Sequence, residues 1–305
     1  DVKKELRPRL ADVRKATGLP CFVITNLPEG APRHMRELLL SNGIVPLQGM
    51  EDAFSCLGCA ARHVARCREL KAAGGPEQRI LGAGELRPGA LLDEVASKAA
   101  LAEHGVSVPR LSLAASAEDA ATAAVALGFP VVVKGHGEGL AHKSELGAVA
   151  VNLRDEAAVR AAAETILAIP GIGGLLVETM VTDAVAEVII GIKRDPSLGL
   201  ALVIGSGGIL TELIKDSVNL ILPASDDEIR RAIARLRGHA LLTGFRGKPE
   251  GDIEALVATA RGIAAYAEAN ADRLMELDVN PVMVRPNGKG AVAVDALIRL
   301  GESAG

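Results

Sequence analysis

Residues 131–153 read VVVKGHGEGLAHKSELGAVAVNL. The valine run ending in Lys134 has strand character, the middle is rich in glycine, and LGAVAVNL is again alternating and β-branched. The spacing predicts strand, glycine turn, strand. It nearly matches a P-loop, G-x-x-x-x-G-K-[ST], with Gly137 followed five residues later by His142, Lys143 and Ser144. Histidine there removes the second glycine that lets backbone wrap phosphate, and a P-loop opens a helix, not a strand. Gly135, Gly137 and Gly139 alternate, so the Rossmann spacing fails too. A glycine turn between strands can still lie over a phosphate chain and offer it N–H groups. The same residues equally fit a surface hairpin with a solvated His and Lys. Lys134, at the end of an apolar strand, calls for a carboxylate or a bound anion.

Working outward, helices are expected at LLDEVASKAALAEHGV, SAEDAATAAVALG and RDEAAVRAAAETILA, with Ser116 and Asp119 forming a near capping box. VSVPRLSLA reads as a strand. The second half opens with strands at GGLLVETMV, AVAEVIIGIKRD and GLALVIGSG, then helices at SDDEIRRAIARLRG and DIEALVATARGIAAYAEA. LMELDVNPVMV and AVAVDALIRL, separated by Pro-Asn-Gly, read as an antiparallel hairpin. Two α+β lobes follow, about 91–172 and 173–305, which could close on a ligand at their junction. Upstream, LPCFVITN and IVPLQG alternate with helices in a short β-α-β-α series with parallel pairing. Residues 72–90, rich in Gly and Pro, read as a linker.

The 305 residues suffice for about two domains, and 49% apolar residues can bury a sizeable core. A net charge of −4 and 2% aromatics argue against nucleic acid as a partner. There is no apolar run of about 18 residues and hence no membrane span, and the N-terminal stretch lacks a secretion segment. Four cysteines suit a reducing, cytoplasmic setting. Cys56, Cys59, His63 and Cys67 fall on one face of a predicted helix. A straight helix spreads them over about 16 Å, too far for one tetrahedral ion. They are read as a packed helix face.

ELDVNPVMV sets Glu276, Asp278 and Asn280 at alternate positions, so their side chains share a face. Asp295 lies in an apolar run on the expected partner strand, where an acid needs a partner. Asn and carboxylate oxygens are the hard ligands that hold Mg²⁺. The alternation also fits the solvent face of a half-buried sheet. GSGG, residues 205–208, is a second glycine turn that could cradle phosphate or simply form a tight corner.

The run 131–153 resembles the ATP-grasp domain of NDP-forming acyl-CoA synthetases, relatives of ADP-forming acetyl-CoA synthetase and succinyl-CoA ligase. LVETMVTDAVAEVIIGIKRDPSLG, VIGSGGILTELIKD, LLTGFRGKPEGDIEAL and ELDVNPVMV with AVAVDALIRL carry the likeness in order over residues 91–300. Residues 1–72 resemble the C-terminal part of the flavodoxin-like CoA-ligase domain that precedes it in fused members.

The resemblance implies an ATP-grasp two-lobe fold of α/β and α+β character. It implies that Lys134 contacts nucleotide phosphates. Glu178 and the backbone after it, Met180 included, would form the hinge beside adenine and ribose, with Glu187 a pocket carboxylate. Gly205, Gly207 and Gly208 would form the turn that meets an incoming phosphohistidine loop. Asn280 and Asp295 would hold Mg²⁺, and His142 would be a second phosphohistidine. The implied reaction joins a carboxylic acid to CoA with ATP, forming ADP, through an acyl phosphate. CoA-binding and principal phosphohistidine parts would lie upstream or on a partner subunit, in a homo- or hetero-oligomer, with CoA bound mainly outside this chain. A CoA-activating, ATP-dependent lyase and a non-catalytic ATP-sensing module are the alternatives on the same scaffold.

Overall fold

In the computed structural model, residues 12–72, 80–137, 147–208 and 216–303 are described. They fall into two compact units, Asp1–Glu77 and Gln78–Gly305. The first holds β1 (Cys21–Thr25), α1 (Arg33–Ser41), β2 (Ile44–Gln48) and α2 (Met50–Ala72). The strands pair in parallel, Cys21 opposite Ile44 and Thr25 opposite Gln48, as the β-α-β-α order requires. The apolar strands are not fully buried, because two strands cannot cover their own faces. Phe22 is 38% exposed and Val45 40%. The cysteine face of α2 is likewise not packed. Cys56 and Cys59 are exposed and Cys67 is half-buried, with its Sγ 3.5 Å from His63 Nε2. Among the described residues no group of three or more His, Cys, Asp or Glu is placed to hold a metal.

The second unit begins with β3 (Leu86–Leu92) and α3 (Glu94–Ala102). Residues 86–90, expected in the linker, thus belong to a strand. It is an edge strand on β13, with Pro88 opposite Gly301, and an edge tolerates a proline that cannot donate to the ladder. There follow β4 (Leu111–Ala114), α4 (Ala117–Leu127), β5 (Val131–His136), β6 (Val149–Leu153), α5 (Glu156–Leu167) and β7 (Gly174–Thr179). The chain continues with β8 (Ala186–Asp195), β9 (Gly199–Ser206), β10 (Ser217–Ile221), α6 (Asp226–Ala234), α7 (His239–Leu242) and α8 (Ile253–Ala269). It ends in β11 (Leu274–Val284), β12 (Ala291–Ala293) and β13 (Leu297–Ser303). Helix starts follow the side-chain rules: Asp93, Ser116, Asp155 and Asp252 cap backbone N–H groups, and Ser225 with Glu228 forms a full capping box.

Two antiparallel sheets result. The smaller runs β4-β7-β5-β6 and packs on α4 and α5 through Ala120, Ala124, Val131, Val133, Val159 and Ile166. β7 therefore joins this sheet and does not open the second lobe, since its buried run fits a central strand flanked on both sides. The larger runs β10-β9-β8-β11-β13-β3, with β12 on β11. One of its faces meets α8 and α6 through residues such as Ile190, Leu202, Ile204, Leu256 and Ile263, all fully buried. Each such side chain contributes about 1.5–3 kcal/mol. Leu101 of α3 sits in the same core, so β3 and α3 belong with the larger sheet although they precede the smaller one. The opposite face of the larger sheet exposes Glu187, Lys193, Glu276, Asp278 and Asn280. Among the described residues no helix is long and apolar enough to cross a membrane.

Candidate functional site

The expected β-hairpin at the C-terminus is interrupted around Asp295. β11 pairs with β12 and then β13, and Asp295 falls in the break between them, not on a strand. The cause is on β11, whose register with β8 shifts between Val279 and Val282, where Pro281 has no N–H for the ladder. Pro281 O instead accepts from Val294 N at 3.1 Å. This sets the Asn280 and Asp295 backbones side by side, with the exposed Asn280 side chain on the open sheet face.

Lys134 reaches the same place from the smaller sheet. Its Nζ donates to Val294 O at 2.9 Å and to Glu94 Oε1 at 2.5 Å, and lies 3.0 Å from Glu178 Oε2. Burial works against its charge, but Glu94, Glu178 and Asp295 outweigh it and raise the ammonium above its ordinary value. Lys134 therefore stays protonated at any ordinary pH, and the demand for a carboxylate partner made by its strand-end position is met. Glu178 is also buried, and its Oε1 accepts from Lys98 Nζ at 2.5 Å. Its carboxylate is thus held between two lysines. Met180 N donates to Pro130 O at 3.2 Å.

Asp278, two residues before Asn280, keeps solvent access on the open face. Packing around its carboxyl and the charges of Glu276 and Asp295 nevertheless push its pKa up, against an opposing pull from Lys193. It was legible as a member of the alternating set, but its link to Asp295 was not. Glu94 and Lys98 were missed altogether. Their signal was present: with Leu101 they occupy positions i, i+4 and i+7 of α3, so a charged pair lies on the buried face.

The glycine turn follows β9 and leans on β8. Gly207 N donates to Glu187 O at 2.8 Å, and a Cβ on Gly207 would come within 2.8 Å of the Glu187 backbone. Gly208 has φ +93, which favours glycine. Glu187 in turn lies opposite Met283 of β11. Lys134 and Glu178 thus meet beside Val294 and Asp295, while Gly207 and Glu187 reach β11 at Met283, three residues from Asn280. His142 lies outside the described residues, in the segment joining β5 to β6.

Such a set suits a polyanion with a hard cation. It offers a buried ammonium, an amide oxygen, carboxylates and a glycine turn without side chains. Residues 86–300 match the ATP-grasp domain family. Over 216 residues the chain is 35% identical to a trans-feruloyl-CoA synthase of an unknown prokaryotic organism, covering 68% of this chain and 30% of that protein. It is 33% identical over 214 residues to the β subunit of ADP-forming acetate–CoA ligase II of Pyrococcus furiosus, covering 68% of this chain and 90% of that subunit. The chain thus spans under a third of the longer relative and nearly all of the shorter. Among solved structures it resembles the dinucleotide-forming acetyl-coenzyme A synthetase 1 of Ca. Korarchaeum cryptofilum with coenzyme A and Mg-AMPPCP. That structure has its phosphohistidine segment pointing towards the nucleotide-binding site. The TM-score is 0.61 at 31% identity, covering 77% of this chain and 97% of the other.

Proposed function

The chain belongs to the ATP-grasp domain family, and on that premise we propose that it is the nucleotide-binding and phosphoryl-transfer part of an ADP-forming acyl-CoA synthetase. The observation that carries this is the meeting of Lys134 with Val294 and Asp295 beside Asn280, joining the two sheets at one polar site. Phosphates of ATP or ADP lie against Lys134, with the base beside the backbone after Glu178. Asn280 and Asp295 fit Mg²⁺ by donor chemistry, as an amide oxygen and a carboxylate held together. When bound, the ion neutralises charge on the transferring phosphoryl group.

His142 carries phosphate between the nucleotide and an acyl site elsewhere. Neutral imidazole attacks the γ-phosphorus, an N–P bond forms, and the bond to ADP breaks. The phosphoryl passes to a histidine of an upstream or partner domain and then to the carboxylic acid. CoA displaces phosphate from the acyl phosphate, giving acyl-CoA, ADP and phosphate in sum. Gly207 and Gly208 leave room for the approaching segment, and Glu187 borders the pocket.

The partner requirement has support in the first unit. Parallel sheets are normally covered on both faces and have more than two strands, whereas β1 and β2 leave Phe22 and Val45 uncovered. Further strands of a flavodoxin-like CoA-ligase domain, upstream or on another subunit, complete it. The test is the complete enzyme, with its partner parts, carrying His142→Asn. It should bind ATP with unchanged affinity yet form no acyl-CoA and take no label from γ-labelled ATP at this position. Unchanged turnover would reject the relay. No specific observation favours the lyase or the sensing module.

A further inference from the structure

We infer that Lys98 is a positioning residue for nucleotide binding: it holds Glu94 and Glu178 while Lys134 turns to a phosphate. This rests on the phosphate role proposed for Lys134. Four groups alternate in charge around a closed ring. Lys98 Nζ meets Glu94 Oε1 at 2.7 Å and Glu178 Oε1 at 2.5 Å. Lys134 Nζ meets Glu94 Oε1 at 2.5 Å and Glu178 Oε2 at 3.0 Å. All four are buried, Lys98 at 0% exposure. The ring also joins the sheets, because Glu94 and Lys98 stand on α3 in the larger core while Lys134 and Glu178 stand on β5 and β7.

An ammonium has three protons. Lys134 has three oxygens within 3.0 Å: Glu94 Oε1, Glu178 Oε2 and Val294 O. It can therefore donate to a phosphate only by giving one of them up. With Lys134 as their sole cation, the two carboxylates would lose a partner at that moment, and an uncompensated buried charge is costly. Lys98 bonds both carboxylates already, so each keeps a cation when Lys134 moves. Fully buried, Lys98 acts through Lys134 and not on the nucleotide itself. The ring also fixes the sign of each perturbation. Carboxylates compete with phosphate for Lys134, so removing Lys98 tightens their hold and removing one carboxylate loosens it.

The experiment is ADP affinity by calorimetry on the 305-residue chain, with the unfolding midpoint measured alongside. Lys98→Met is expected to weaken ADP about ten-fold, or about 1.4 kcal/mol, while Lys98→Arg stays near wild type. Glu94→Gln is expected to bind ADP more tightly than wild type, although it too lowers the midpoint. Glu94→Gln with Lys98→Met together should return close to wild-type affinity, and this pair decides the matter even where Lys98→Met alone does not fold. A merely structural role weakens ADP in both single variants. Glu94→Gln binding no tighter than wild type, or the double variant binding as tightly as Glu94→Gln, overturns the inference. A wild-type chain that binds no ADP refutes the nucleotide role of the site instead, so the two failures are distinguishable.

Discussion

Asp216→Ala should loosen the clasp that joins β9 to β10. Asp216 Oδ2 accepts from Ser206 Oγ at 2.5 Å and from Gly238 N at 2.8 Å, and Oδ1 accepts from Arg237 N at 2.9 Å. Alanine leaves two backbone donors and a hydroxyl without their acceptor. Bonds to a charged group contribute about 1.5–3 kcal/mol each, and the site is half-buried, so the lower end for the two amides gives about 3 kcal/mol. At about 2–4 °C per kcal/mol for a unit of this size, the midpoint should fall by about 6–12 °C at neutral pH. Burial pushes the Asp216 carboxyl up, but the Ser206, Arg237 and Gly238 bonds and the Arg237 charge outweigh it and hold it below the usual carboxylate range. Its contribution is therefore fully present above the unfolded value of about 3.9 and is lost as pH falls through the lower folded value. Thermal unfolding of both proteins by circular dichroism, from neutral pH down to about pH 3, should show a constant gap that narrows only at the acid end. Equal midpoints at neutral pH, or a gap that never narrows, would refute the reasoning.

Other consequences are as direct. Gly207→Ala puts a Cβ within 2.8 Å of the Glu187 backbone; overpacking of this kind costs about 1–3 kcal/mol, and an unshifted urea midpoint would count against the close approach. Lys134→Ala should weaken nucleotide about ten-fold or more, the scale of a lost charge-assisted bond, and equal calorimetric affinity removes Lys134 from the site. Asp295→Asn should raise the Mg²⁺ concentration needed for half-maximal nucleotide binding, and a flat metal titration would contradict its ligand role.

The sequence carried most of the fold because local signals agreed with it. Ser116, Ser225 and Asp252 mark helix starts, and the alternation of Glu276, Asp278 and Asn280 correctly put them on one exposed face. Boundaries failed where tertiary pairing overrode local pattern. Pro88 and Gly89 read as linker, yet the strand they interrupt is an edge that tolerates them. β7 read as the start of a lobe because the smaller sheet that claims it is assembled from distant segments. In the site, Lys134 was legible because a lysine ending a valine strand demands a partner. Which partner was not legible: Glu94 lies 40 residues away, and only the fold brings it within 2.5 Å. Asp295 stood out as an acid in an apolar run, but the break that holds it depends on a register shift opposite Pro281, which no single-strand pattern records.

The most direct measurement is a crystal structure of the chain with Mg²⁺ and a non-hydrolysable ATP analogue. The account expects the ion about 2.0–2.1 Å from oxygens of Asn280 and Asp295, and Lys134 Nζ turned to a phosphate oxygen with Lys98 still on both glutamates. Nucleotide bound elsewhere, or a metal with neither Asn280 nor Asp295 in its coordination sphere, would contradict it.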